Sequence, residues 1–328
     1  MAQLVAAFGS SHSVMLAATR GDWANAFRES DRRMPLFDSH GVATSYDTLL
    51  AAAPRDSENL VTAETLSHAY DRTFAGIAEL KRQMDEVPLD CLIIIGDDQH
   101  ELFQDAMMPA LAIYYGKTIR NAARHDAPNA DWYKRAQMER LEPERDAYYP
   151  VHAALALHLI GGLSTHEFDV CAVREIAPDQ YEGHAYSYIH RTYLTGRDCP
   201  IVPVMLNTYY PPNPVTPKRC VQLGVALKAL IEEFPHPLRV GVLASGGLSH
   251  FVVDEELDRG VLNALREKDL AYLAALDPKR LQAGSSEIRS WIVTAAAATD
   301  LNLVWSDYIP AYRTPALTGT GLGFARWV

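Results

Sequence analysis

An apolar run that ends in a cluster of polar residues constrains the fold of this chain most strongly. Residues 92–103 read LIIIGDDQHELF, so Leu92–Ile95 are followed by Gly96, two acids, a glutamine and His100. Successive apolar residues predict a strand buried on both faces, as in a sheet covered by helices on both sides. Such sheets bind ligands at the carboxyl ends of their strands. We therefore expect His100 to lie at the functional edge of a central sheet.

Two other predicted strands also end in a histidine. Leu4–Phe8 continues through a glycine and two serines into His12, and Leu238–Ala244 continues through the residues SGGLS into His250. Because the carboxyl ends of parallel strands meet at one edge of a sheet, this pattern predicts several imidazoles close together.

Helical patterns alternate with the strands. Apolar residues recur every three or four positions from Thr62 to Met84, and Pro88 ends the pattern. Thr216 and Pro217 mark the start of a helix over Lys218–Phe234. The remaining predicted strands are Phe168–Val173 and Ile201–Leu206, and the remaining predicted helices are Val151–Leu159, Asp254–Leu276 and Ser286–Thr299. This order predicts an α/β fold, a single domain over residues 1–328 with a central, mostly parallel or mixed sheet covered by helices on both faces.

Composition excludes several classes of protein. Forty-one acids against thirty bases give a net charge of −11, and no block of Lys and Arg is present, so we expect neither nucleic-acid nor membrane-surface binding. No apolar run approaches the roughly 18 residues of a membrane helix, and no basic region precedes the first apolar stretch, so we expect a cytoplasmic protein without a signal peptide. The four cysteines form no CxxC pair, so imidazole and carboxylate groups would have to hold any metal.

The segment 18–60 has no clean helical or strand period and contains several turn residues. A loop-rich segment of this length in a compact domain is usually functional. We therefore expect it to cover the active site.

Four histidines, His12, His100, His184 and His250, lie beside small or polar residues at a predicted strand end or in a loop. One such histidine alone would more often be structural. Two imidazoles and one carboxylate that leave three positions open are typical of non-haem Fe(II) oxygenases. Hydrolytic zinc would more often show an HExxH pattern, which the sequence lacks.

The order of these motifs resembles the class III extradiol ring-cleavage dioxygenases, the superfamily of the protocatechuate 4,5-dioxygenase β subunit. The resemblance rests on the motifs SSH at His12, GDDQH at His100, YEGHA around His184, NTYYPP at 207–212 and SGGLSH at His250 followed by DEELD. Residues 287–291, EIRSW, also look like a helix of that family. Within the superfamily, residues 29–46 look most like 3-O-methylgallate dioxygenases.

The resemblance implies a set of site residues. His12, His100 and Glu256 would be the ligands of Fe(II), His184 would be the acid/base residue, and His250 would be the second histidine of the pocket. His100 departs from the family pattern, because the usual Asn-Asp-His is Asp-Asp-Gln-His here and the imidazole falls one residue late.

Glu256 has a competing interpretation, because acids in a first helical turn are often merely solvated. Asp97 and Asp98 are interpreted as acceptors that orient an imidazole ring, with strand-capping acids as the alternative. Arg32, Arg33 and Arg313 are unassigned candidates for a substrate carboxylate, and each is otherwise a surface charge.

The implied activity is cleavage of the aromatic ring of a catecholic acid such as 3-O-methylgallate with O2, in lignin-type aromatic catabolism. The alternatives are extradiol cleavage of protocatechuate, gallate or another catechol or aminophenol, or a metal-binding relative without dioxygenase activity. A homodimer is expected from the resemblance alone.

Overall fold

The computed structural model describes residues 1–125 and 130–328. Its strands are β1 (Gln3–Ser10), β2 (Leu36–Phe37), β3 (Ala43–Thr44), β4 (Cys91–Asp97), β5 (Leu111–Tyr114), β6 (Thr118–Asn121), β7 (Ala147–Pro150), β8 (Cys171–Val173), β9 (Ile201–Leu206), β10 (Arg239–Ser245), β11 (His250–Val252), β12 (Leu303–Tyr312) and β13 (Thr318–Trp327). Its α-helices are α1 (Arg20–Ala24), α2 (Ala26–Asp31), α3 (Tyr46–Ala52), α4 (Ala63–Asp85), α5 (Trp132–Met138), α6 (Ala153–Thr165), α7 (His184–Thr192), α8 (Pro217–Glu233), α9 (Glu255–Glu267), α10 (Leu270–Ala274) and α11 (Ile288–Ala297). Short 3-10 helices cover Val14–Ala17, Ser57–Val61 and Ala283–Glu287.

The described residues form a large mixed sheet. Strands β1, β10, β4 and β9 are neighbours and run parallel to one another, so their carboxyl ends lie at one edge. Antiparallel pairing surrounds this centre, because β13 pairs with β1, β11 and β12, and β5 pairs with β9. The predicted α/β fold with a mixed central sheet is confirmed.

Strand β4 is buried at all seven positions, as its apolar sequence predicts. Because successive side chains of a strand point to opposite faces, Ile93 and Ile95 pack in the hydrophobic cluster that contains Trp291 of α11. Leu92 and Ile94 pack in a second cluster on the other face, which α4 covers. Helices therefore cover both faces of the sheet.

The two clearest helix predictions are confirmed. The side chain of Thr62 accepts a hydrogen bond from the backbone N–H of Thr65 and caps α4, which ends before Pro88. The side chain of Thr216 caps α8 in the same way, with Pro217 as the first helical residue.

Two other helix predictions were wrong in their bounds. The helix predicted over Val151–Leu159 spans Ala153–Thr165 and therefore continues through Gly161 and Gly162. Glycine at 162 allows close packing, because an added Cβ would lie 2.2 Å from the side chain of Leu230. The helix predicted over Asp254–Leu276 is divided at Lys268, whose left-handed φ of 58° ends α9. Local capping and packing decided these bounds, which periodicity alone does not register.

The segment 18–60 contains more regular structure than the loop-rich pattern predicts. Residues with short polar side chains, Thr19 and Ser45, cap α1 and α3, and β2 pairs with β3. At the end of α2, Asp31 forms a buried ion pair with Arg313, at 2.9 Å, which ties this segment to the carboxyl-terminal part of the chain. Among residues 1–125 and 130–328, no helix is long and apolar enough to cross a bilayer.

Candidate active site

The site lies at the carboxyl edge of the parallel strands. Ser10, Asp97 and Ser245 end β1, β4 and β10, which are adjacent in the sheet. His12 follows β1 after one residue, and Asp97 is the last residue of β4. The strand ends therefore bring together an imidazole and a carboxylate that lie far apart in the sequence.

Four side chains converge at this edge. One donor atom from each of His12, Asp97, His184 and Glu287 lies within 4.8 Å of the others. The Nε2 atom of His12 lies 3.1 Å from Nε2 of His184 and 3.3 Å from Oε2 of Glu287. His184 begins α7, and Glu287 ends the 3-10 helix that leads into α11. All four are buried or nearly so.

The orientation of the His12 ring is fixed by its outer neighbour. The Ser245 hydroxyl donates to the backbone carbonyl of Ala185 at 2.7 Å, so its oxygen can accept from Nδ1–H of His12 at 2.9 Å. In the neutral ring the lone pair then resides on Nε2, which faces the cluster. His12 is thus held in the tautomer that a metal ligand requires.

Glu101 holds His184 in the corresponding way. Its carboxylate accepts from Nδ1–H of His184 at 2.7 Å and lies 3.0 Å from the Arg140 guanidinium. Burial opposes ionisation of Glu101, but the charges of His184 and Arg140 outweigh it and lower the pKa of Glu101 to about 2. Burial likewise favours the neutral ring of His184, but Glu101 and Asp97 outweigh it and raise its pKa.

The facing nitrogens of His12 and His184 need a positive charge between them or on one of them. With both Nδ1 atoms donating outward, two neutral rings would present lone pairs to each other across 3.1 Å. In the protein without metal, a proton on His184 satisfies this contact, in agreement with its raised pKa. A divalent cation would replace that proton.

The donor set fits a metal ion. Oδ1 of Asp97 is buried and has no hydrogen-bond partner among the residues that the structure describes, although it lies 3.4 Å from Nε2 of His184. A buried polar atom without a partner is destabilising unless an ion or water satisfies it. Two imidazoles with carboxylates suit borderline transition metals such as Fe(II), and the spacing matches donors that share one ion at about 2.0–2.2 Å.

Glu287 connects the cluster to His250. One of its oxygens accepts from the backbone N–H of Gly247 at 2.6 Å, and the other lies 3.4 Å from Nε2 of His250. Burial raises the pKa of Glu287, but His12 and His250 outweigh it and keep that pKa well below its usual range. Nδ1 of His250 donates to the carbonyl of Leu248 at 2.8 Å. Its Nε2 therefore faces the carboxylate.

The structure does not bring together the three ligands expected from the sequence. His12 lies in the cluster, but the ring of His100 stacks on Tyr210 at 3.8 Å and its Nε2 faces Asp105 at 3.1 Å. The side chain of Glu256 is 90% exposed and lies beside Arg280. Of the expected site residues, His12, His184 and His250 line one cavity, and His100 and Glu256 lie outside it.

Sequence reasoning missed four side chains of the site. Glu287 lies in the EIRSW segment, which was noted only as a helix, and Asp97 was interpreted as an orienting acceptor. Gln99 takes the position where the family pattern has histidine, and its amide nitrogen lies 3.2 Å from Asp97 and 3.4 Å from Glu287. No sequence motif or pattern singles out Glu101. Asp98 instead caps a turn by accepting from the backbone N–H groups of 102 and 103.

The cluster opens into a cavity of about 230 Å³, named here the inner cavity. Its wall includes His12, Gln99, Arg140, His184, His250 and Glu287. Arg140 is thus a cation at the cavity wall that the sequence did not single out.

The three arginines considered for a substrate carboxylate lie elsewhere. Arg32 covers the ring of Tyr46, and Arg313 pairs with Asp31. Arg33 is exposed and, like Arg313, lines a neighbouring cavity.

Comparisons with known proteins agree with this geometry. Residues 60–323 match the model of a family described as the catalytic LigB subunit of aromatic ring-opening dioxygenase. A gallate dioxygenase from Pseudomonas putida is 33% identical over 132 residues, which are 40% of this chain and 37% of that relative. The matched stretch thus spans well under half the length of the relative.

Proposed function

Because the chain belongs to the LigB family of aromatic ring-opening dioxygenases, we propose that it is a non-haem Fe(II) extradiol dioxygenase acting on a catechol. The observation that carries the proposal is the cluster of His12, Asp97, His184 and Glu287, of which His12, His184 and Glu287 line the inner cavity. Two imidazoles and carboxylates at one buried point are the donor set of non-haem iron oxygenases.

We assign His12, His184 and Glu287 as the metal ligands, with Asp97 as a further donor. This replaces the set expected from the sequence, in which His100 and Glu256 were ligands and His184 moved protons. Nε2 of His184 faces His12 rather than the open cavity, and Glu101 holds its Nδ1–H as an outer partner holds a ligating histidine.

Bound Fe(II) would supply a Lewis-acidic centre where the two catechol oxygens and O2 are held in contact, which makes their reaction effectively unimolecular. His250 is the group we assign to proton transfer. It lines the inner cavity, its Nδ1–H is fixed by the Leu248 carbonyl, and its Nε2 can exchange a proton with a substrate hydroxyl. Imidazole suits this work because its ordinary pKa lies near neutrality.

Arg140 is the cation that could orient an acidic substrate. It lines the inner cavity, and its contacts with Glu101 and with the Tyr181 hydroxyl are both made by Nη2, at 3.0 Å. A guanidinium carries further N–H donors on its other nitrogens, and these are the ones we assign to a substrate carboxylate. A catecholic acid such as 3-O-methylgallate or gallate would place its carboxylate near this guanidinium and its hydroxyls at the metal. Protocatechuate and uncharged catechols are the alternatives, and the homodimer stays a prediction.

The test is anaerobic loading with Fe(II), followed by oxygen uptake with 3-O-methylgallate, gallate, protocatechuate and catechol. We expect oxygen uptake with at least one of these compounds and a ring-opened product that is detected by its absorbance. His12→Ala should lose both the oxygen uptake and the product. Metal analysis of the same variant should show a lower iron content than that of wild type.

A zinc-bound protein that takes up no oxygen after reconstitution would contradict the assignment. His250→Gln separates the two assigned roles, because it should retain iron and lose turnover. If that variant loses iron instead, His250 is a ligand and the proton carrier must be sought elsewhere.

A further inference from the structure

A second, larger cavity adjoins the inner cavity. It has a volume of about 640 Å³ and is named here the outer cavity. Val14, Tyr133 and Phe251 line both cavities and form the boundary between them. The inner cavity alone falls below the roughly 300–1,000 Å³ that ligand pockets usually have, whereas the two together lie within that range.

The wall of the outer cavity is aromatic. Phe27 of α2 and Trp132 of α5 pack against each other with ring centroids 4.4 Å apart and planes tilted by 59°, and both line it. Tyr133 and Phe251 extend this surface to the boundary with the inner cavity. Aromatic walls bind planar apolar groups by burial and by offset or edge-to-face ring contacts.

The charges around the outer cavity do not favour an anion. Three carboxylates, Glu29, Asp31 and Asp131, line it against two guanidinium groups. One of these, Arg313, is only 3% exposed and is neutralised by Asp31 at 2.9 Å. Two carboxylates and one guanidinium remain once this pair is set aside, so the net charge of the wall is negative. An uncharged substituent fits this cavity better than a carboxylate does.

Resting on the proposed catechol-cleaving function, we propose that the outer cavity is a subsite for a bulky, uncharged aryl substituent of the substrate. The catechol ring occupies the inner cavity, and the substituent passes between Val14, Tyr133 and Phe251 to lie against Phe27 and Trp132. The segment 18–60, through α2, thereby contributes one wall of the substrate site.

The test compares 4-phenylcatechol with catechol in anaerobic binding to the metal-free protein and in turnover of the iron-loaded protein. Burial of a phenyl ring should lower the Kd and the KM for 4-phenylcatechol by at least about 10-fold relative to catechol. A third ligand, 4-(4-carboxyphenyl)catechol, should lose most of that gain because of the acidic wall.

Ala26→Trp provides the matched variant. Ala26 lines the outer cavity and not the inner one, so an indole there should remove the gain for 4-phenylcatechol and leave binding and turnover of catechol unchanged. Ala51→Trp, at an exposed position of α3 away from both cavities, is the control and should change neither ligand. If Ala26→Trp fails to fold, a fluorescence experiment takes its place. We then expect 4-phenylcatechol to quench the tryptophan fluorescence of wild type and to quench that of Trp132→Phe less.

Equal affinity for the two catechols in a protein that cleaves catechol would overturn the subsite and leave the proposed function intact. Preferential binding of 4-phenylcatechol without oxygen uptake from any catechol would support the subsite as a binding site and contradict the proposed function. An unchanged preference in both Ala26→Trp and Trp132→Phe would place the aryl group outside the outer cavity and reject the proposal.

Discussion

Glu287 and Glu256 both lie near the start of a helix, but they differ in burial. The side chain of Glu287 is 2% exposed and faces His12, whereas that of Glu256 is 90% exposed. Glu287→Gln should therefore weaken Fe(II) binding by at least the 10–100-fold seen when a supporting partner of a metal site is lost. Glu256→Gln is the matched control and should bind iron as wild type does. Anaerobic iron titration measures both.

The reverse result, with Glu256→Gln deficient and Glu287→Gln normal, would restore the ligand set expected from the sequence. Sequence alone could not choose between these glutamates, because acids in a first helical turn are favoured by the helix dipole whether or not they bind anything. What distinguishes Glu287 is that its 3-10 helix places it beside His12, which follows β1, and beside Gln99, which follows β4. That position depends on contacts between distant segments.

Asp258 should make stability depend on pH. It is fully buried and accepts hydrogen bonds from Ser249 and Tyr308, but burial outweighs them and raises its pKa from 3.8 to about 6. The folded protein then holds this proton more tightly than the unfolded chain does. Stability from this group is present below pH 4 and is lost as the pH rises to about 6, by about 3 kcal/mol.

Urea unfolding of wild type and Asp258→Asn from pH 4 to 7 tests this. The difference in free energy of unfolding between the two proteins should change by about 3 kcal/mol over that range, with wild type losing stability relative to the variant as the pH rises. A constant difference would show that the hydrogen bonds keep Asp258 ionised in this whole range.

At the scale of elements, the turn after β4 determines where the side chain of His100 points. The strand prediction was right, and β4 ends at Asp97, but His100 adopts a left-handed φ of 63°. This conformation places its ring against Tyr210 instead of in the cluster. A continuous apolar run locates a strand that is buried on both faces, but it does not determine the direction of side chains in the turn that follows.

The 3-10 helix Ala283–Glu287 is fitted closely to His250. A Cβ built on Gly284 would lie 1.8 Å from the ring of His250, so Gly284→Ala must displace either the ring or the backbone that carries Glu287. We expect loss of turnover and destabilisation of about 1–3 kcal/mol from the overpacking. Turnover and urea unfolding measure the two effects.

Gly161 is the matched control for that substitution. It is exposed in α6, and within the described part of the chain nothing lies within 4 Å of an added Cβ. Gly161→Ala should stabilise the protein by about 0.5–1 kcal/mol and leave turnover unchanged, because alanine loses less conformational freedom in a helix. Wild-type activity in Gly284→Ala would show that the position of His250 does not matter for the reaction.

At the scale of the whole molecule, the order of buried strands and amphipathic helices was enough to predict the α/β fold and the edge that carries the site. It also singled out His12 and His250, because each follows a predicted strand, whereas His184 was placed in a loop and drew its role from the family resemblance; the helix that His184 opens was not predicted. It could not supply Asp97 as a donor, Gln99 or Glu101. Their roles follow from the distances between four segments of the chain, and local sequence holds no such distances.

Metal binding should stabilise the whole chain, because the four donors come from the turn after β1, from β4, from α7 and from the 3-10 helix before α11. An ion bound there connects residues 12 and 287, and so ties the first strand to the last α-helix. A ligand that binds only the folded state at 100 times its Kd adds about 2.7 kcal/mol of stability. Anaerobic thermal unfolding with Fe(II) should therefore show a Tm that rises with metal concentration, and His12→Ala should abolish the rise. Mg²⁺ at the same concentration should have little effect, since it prefers oxygen ligands, and an equal rise with Mg²⁺ would contradict a site in which imidazoles bind the ion.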